Sequence, residues 1–122
     1  MTSRACVLHG VQDLRLETQS EPVTGPGDVK IAILAGGICG SDLHYFAHGG
    51  FGPVRVREPI AMGHEAAGRV VETGEDVDTV QTGDLVAINP SQPCGHCRYC
   101  INGHVVHCLD MRFMGSAYRS PH

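Results

Sequence analysis

Four of the six cysteines fall within residues 94 to 108, as Cys94-x2-Cys97-x2-Cys100-x7-Cys108, and this spacing constrains the chain more than any other feature. Disulfides across such gaps would close loops of a few residues, which removes little unfolded-state entropy and strains the bond. Four thiolates around one Zn²⁺ need only a tight turn, because tetrahedral Zn–S bonds of about 2.3 Å draw the short spacings together. The spacing therefore predicts a zinc lobe over 94–108, with Gly95 and Gly103 supplying backbone angles that other residues resist. A closed four-thiolate site leaves no position for a substrate, so its role is structural. His96, His104 and His107 are competing ligand candidates, read as solvent-facing because four thiolates already fill the site. Together with Arg98 and Arg112 they are available to offset the −2 charge of such a centre.

The remainder of the chain has to fold around that lobe as one unit. Its 122 residues suit one modest domain, and 5% aromatic residues with 16 Gly predict a thin core. A net charge of −4 argues against a phosphate-binding surface, so nucleic acid is not expected as a partner. The longest apolar stretch, Ile31 to Gly40, is ten residues with three glycines, against about 20 needed to span a bilayer. No membrane association is expected. The N-terminus has no apolar core before a small-residue cleavage site, which points to the cytoplasm.

Short β-prone runs dominate. Arg4–Leu8 and Asp13–Thr18 read as a strand pair, Val29–Leu34 as a half-buried strand, and Ala66–Thr73 and Leu85–Ile88 as two more. Cys6, in the first run, reads as an inert buried thiol. Ser41 or Asp42 can cap a short helix through His48, which Gly49-Gly50 would end. Residues 51–59, punctuated by Gly and Pro, read as a mobile surface insertion. The pattern predicts a mainly β barrel or sandwich with short helices. No G-x-G-x-x-G occurs: the pairs Gly25/Gly27 and Gly50/Gly52 are followed by Lys30 and Arg55 where the third Gly would stand. Nor is there a P-loop, a G-x-S-x-G elbow or an H-E-x-x-H helix.

A second constellation lies in Gly37-Ile38-Cys39-Gly40-Ser41-Asp42 and Gly63-His64-Glu65-Ala66-Ala67-Gly68. By itself Cys39 is as readily a core thiol as a ligand. Adjacent residues such as His64 and Glu65 normally point apart. Taken in order with Gly83-Asp84-Leu85-Val86 and the four-Cys lobe, however, these motifs resemble the N-terminal domain of the zinc-dependent medium-chain alcohol and polyol dehydrogenases. The run His44-Tyr45-Phe46-Ala47-His48-Gly49-Gly50-Phe51-Gly52, with Asn89-Pro90 and Cys108 to Ala117, is similar to the branch acting on sorbitol and L-idonate.

The resemblance implies a GroES-like β-barrel over residues 1–122 with two zinc ions. Cys39 and His64 match the catalytic zinc ligands, and Glu65 a direct or exchangeable one. Cys94, Cys97, Cys100 and Cys108 match the structural site. Asp42 matches the carboxylate that orients the ligand imidazole, Ser41 the hydroxyl that takes the substrate proton, and His44 the imidazole that passes it to solvent. Tyr45 would sit near the substrate. Family members are NAD- or NADP-dependent, are commonly homo-oligomers, and continue into a nucleotide-binding domain. This chain therefore resembles a catalytic-domain fragment, expected to be inactive alone, of an enzyme oxidising a secondary alcohol of a small-molecule polyol or sugar acid. The alternative is a zinc-stabilised folding or interaction module without activity.

Overall fold

The computed structural model describes residues 1–118. β1 (Thr2–Gly10) and β2 (Asp13–Ser20) form an antiparallel hairpin through Val11-Gln12, as the two β-prone runs predict. Gln12 holds φ at +59°, and its N–H donates to the Phe46 carbonyl at 2.8 Å, which fastens the turn to the first helix. β6 (Ile60–Ala61) pairs with the other edge of β1 at Val7↔Ala61 and Leu8↔Ile60. Val7 and Leu8 are buried there. Cys6 is not: it is exposed, opposite Leu16, itself 62% exposed, because the cover that buries Leu8 on the same face of β1 does not reach back to it.

β3 (Val29–Gly36), β7 (Ala66–Thr73) and β8 (Leu85–Ala87) make the second three-stranded antiparallel sheet. β3 approaches β7 so closely that a Cβ on Gly68 would lie 2.3 Å from the Ala32 carbonyl oxygen, so only glycine fits at that register. The first half of β3 is half-buried, but Ile33 and Leu34 are exposed at 57% and 64%. Nothing among the described residues packs on that apolar end. Among the described residues the buried apolar core consists of Val7, Leu8, Tyr45 and Val70, and it is as thin as the composition predicts.

α1 (Gly40–His48) follows β3 and ends at Gly49, which takes the left-handed conformation at φ +68°. Residues 51–59 are not a free insertion. β4 (Gly50–Phe51) and β5 (Val54–Arg55) form a hairpin about Gly52-Pro53, and Arg55 donates to the His48 carbonyl at 2.6 Å, satisfying an orphan acceptor at the helix end. β9 (Ser91–Gln92) pairs with β10 (Arg112–Phe113) across the base of the cysteine lobe, which contains α2 (Arg98–Ile101) and a 3₁₀ turn at Val105–His107. The strands thus divide among two three-stranded and two two-stranded sheets, and no closed barrel forms among the described residues.

Candidate metal centres

The lobe is built by local geometry. Gly95 and Gly103 hold φ at +79° and +80°, and the turns they permit bring the Sγ atoms of Cys94, Cys97, Cys100 and Cys108 within 4.8 Å of one another. Cys97 and Cys100 are 3.5 Å apart and Cys94 and Cys100 4.0 Å. A tetrahedron with Zn–S bonds of 2.3 Å has an edge of about 3.8 Å. The donor set and its spacing therefore fit one zinc.

Backbone N–H groups donate to two of these sulfurs. The Cys94 N–H donates to Cys108 Sγ at 3.2 Å, the Cys97 N–H to Cys94 Sγ at 3.3 Å, and the Asp110 N–H to Cys108 Sγ at 3.4 Å. The Leu109 amide, then that of Cys100, draws the Cys97 thiol down to about 6. Cys108 is lowered too, first by the Cys94 amide. Desolvation pushes Cys100 up to about 12, and its thiol neighbours add to the rise. His96, His104 and His107 are all exposed; the His96 ring pairs with the Cys94 carbonyl at 2.9 Å, and the His107 ring packs on Tyr99. Arg98 lies over the Tyr99 ring rather than on a sulfur.

The second group depends on sheet register. Antiparallel pairing of Gly36 with Ala66 puts the end of β3 beside the start of β7, and the Gly37 N–H donates to the Glu65 carbonyl at 2.7 Å. Cys39, just past β3, thereby meets His64 and Glu65, just before β7. One donor atom from each lies within 4.8 Å of the others. Gly37 makes room for this: a Cβ there would fall 2.5 Å from Glu65 Oε2.

Cys39, rather than Ser41 or Asp42, caps α1, and its N–H donates to Asp42 Oδ2 at 3.0 Å. That bond points the other carboxylate oxygen at His64. Both residues are only 8% exposed, and Asp42 Oδ1 lies 3.6 Å from His64 Nδ1, with neither atom otherwise partnered. The ring thus turns Nδ1 toward the Asp42 carboxylate, which leaves Nε2 as the nitrogen that can ligate. The set of one sulfur, one imidazole and one carboxylate suits zinc and leaves a fourth position for a small molecule.

The other residues singled out from the sequence lie on α1. Ser41 is half-buried in its first turn, and His44 is exposed, with the edge of Phe51 against its ring. Tyr45 is 3% exposed, and its hydroxyl is 2.9 Å from Ser116 Oγ. Sequence reasoning did not give Phe113, Gly115 and Ser116 a role. Phe113 sets its ring against His64, with centroids 5.2 Å apart. Gly115, at φ +69°, passes so close that a Cβ would lie 2.0 Å from the Gly63 carbonyl oxygen. Their only sequence signal is that they fall within the run Cys108 to Ala117, which carries part of the family resemblance. An open cleft of about 970 Å³ runs between 53–63 and 114–118, with Gly63 and Ser116 on its wall.

Residues 25–120 match the alcohol dehydrogenase GroES-like domain. The chain belongs to this family. As a whole, this GroES-like domain is 42% identical over 120 residues to L-idonate 5-dehydrogenase (NAD(P)(+)) of Escherichia coli strain K12, covering 98% of the chain and 34% of that protein. It is 38% identical over 113 residues to sorbitol dehydrogenase of Bacillus subtilis strain 168, covering 93% and 32%. The crystal structure of L-idonate 5-dehydrogenase from Escherichia coli superposes with a TM-score of 0.85 at 40% identity, covering 96% of this chain and 34% of that one. The GroES-like domain thus spans about a third of the length of the curated relatives it matches.

Proposed function

We propose that this domain is the zinc-bearing catalytic domain of an NAD(P)-dependent dehydrogenase that oxidises a secondary alcohol of a polyol or sugar acid in the cytoplasm. The convergence of Cys39, His64 and Glu65 beside the buried Asp42 carries the reading. The names of the two relatives supply the substrate class, L-idonate and sorbitol, and the first also names the cofactor. With no G-x-G-x-x-G in the 122 residues, the nicotinamide cofactor is assigned to another domain, and residues 1–122 alone are expected to lack activity.

In this proposal Cys39, His64 and Glu65 hold a catalytic zinc, and Cys94, Cys97, Cys100 and Cys108 a structural one. The catalytic metal supplies Lewis acidity toward the substrate hydroxyl, and the nicotinamide supplies the hydride acceptor. Asp42 accepts the Nδ1–H of His64 and fixes the ring with Nε2 toward the ligand group. Ser41 takes the hydroxyl proton. His44, three residues on and so on the same face of α1, carries it to solvent. Tyr45, tied to Ser116, forms the aromatic floor near the substrate.

Timed chelation tests the reading. With two zinc ions bound, mild chelator should remove one quickly, from the open three-ligand site, and the other slowly. Cys39→Ser should abolish the fast phase alone. A fast phase that persists in this variant, or two ions leaving together, would show that Cys39, His64 and Glu65 do not form a ligand-accessible centre.

A further inference from the structure

His44 and His48 occupy positions i and i+4 of α1, so both rings project over the same strip of helix surface. Both are exposed, and their ring centroids are 6.0 Å apart with the planes tilted by 37°. The other exposed histidines with a described ring contact or bond are committed differently, His96 to the Cys94 carbonyl and His107 to Tyr99. We infer that His44 and His48 form a third, two-imidazole site for a borderline divalent transition metal such as Zn²⁺ or Ni²⁺.

Imidazole is the ligand these ions favour among the side chains on this surface. Two imidazoles sharing one ion at Zn–N distances of 2.0–2.1 Å place their ring centroids about 5 Å apart for tetrahedral geometry. Closing from 6.0 Å needs only side-chain rotation of two solvent-facing residues. Phe51, edge-on to the His44 ring at 5.4 Å, restricts the rotation on that side, so less freedom is lost on binding. His48 is also the last residue of α1, where the carbonyl end of the helix favours a cation. Water completes the coordination. Arg55, donating to the His48 carbonyl, is a neighbouring positive charge, and with only two protein ligands the site is weaker than either cysteine-containing one.

A metal on His44 takes the lone pair through which that ring would accept a proton. Occupancy would therefore stop the proton path from Ser41, a consequence that rests on the proposed function, whereas the site itself does not.

The test is a zinc titration of the whole 122-residue chain against a chromogenic zinc indicator, which reads metal content without any activity. Two tight equivalents and one weaker equivalent are expected. His48→Gln should weaken the third by at least tenfold and leave the first two in place, and His44→Gln should do the same. His96→Gln, at an exposed histidine whose ring is bonded to the Cys94 carbonyl and not set beside another imidazole, should change none of them. A third equivalent that survives His48→Gln, or that His96→Gln removes, overturns the site, as does its absence from the unaltered chain. Loss of a tight equivalent in Cys39→Ser with the weaker one intact keeps the two centres distinct. Persistence of both tight equivalents in Cys39→Ser would count against the proposed function and leave the histidine site standing.

Discussion

The two cysteine-containing centres are assembled in opposite ways. The lobe takes all four donors from residues 94–108 and needs only two left-handed glycines and one turn of helix to close. The Cys39 centre takes donors from opposite ends of two strands, and they meet only if β3 and β7 pair in the observed register. A one-residue slip would turn the side chains of a strand to the other face and dissolve the group. The local site can therefore form independently of the sheets, while the other reports whether the sheet is correctly built.

Three perturbations sharpen or break that contrast. The largest effect is expected from Cys97→Ser, because metal-binding free energy in such lobes, on the order of 10 kcal/mol, is also their folding energy. One zinc equivalent should disappear from elemental analysis and residues 94–108 should become cleavable by protease. Unchanged zinc content would mean that the lobe is not a four-thiolate site.

An intermediate effect is expected from Gly115→Ala. The new Cβ would need a left-handed backbone at φ +69° and would collide with the Gly63 carbonyl oxygen, so the chain at 113–116 must shift. A loss of about 2–4 kcal/mol is expected in urea unfolding, with faster zinc release from the Cys39 centre. Release at the unaltered rate would show that the wall behind His64 is dispensable. The smallest change is expected from Gln12→Gly, which relieves the left-handed strain at φ +59° and keeps the N–H bond to Phe46. A gain of no more than about 1 kcal/mol, with both metals released at unchanged rates, is expected. An altered release rate would mean that the hairpin turn governs α1 and the centre at its start.

The same contrast explains what could be read in advance. Lobe, hairpin and β7 were legible because spacing, turn residues and alternation are local signals. Cys39 with His64 and Glu65 was legible only through the family resemblance, since nothing local says that β3 and β7 are neighbours. Cys6 reads as buried but is exposed, because a strand pattern does not reveal how far along a face the cover extends: Leu8, two residues on, is buried. Residues 51–59 look free in the sequence because Arg55 and Val56 find their partners at His48 and Gly49, outside the segment. Tyr45 and Ser116, 71 residues apart, carry no sequence signal of their pairing.

The contact of Phe113 with His64 also sets an order of events during synthesis. The strand ends that carry Cys39, His64 and Glu65 leave the ribosome well before residues 113–116, which at 5–20 residues per second follow His64 by about 2–10 s. In that interval the nascent chain carries Cys39, His64 and Glu65 with no wall behind the imidazole. Because the chain must pass through the cysteine lobe before it returns to His64, the surroundings of the imidazole are completed only after the lobe has been made.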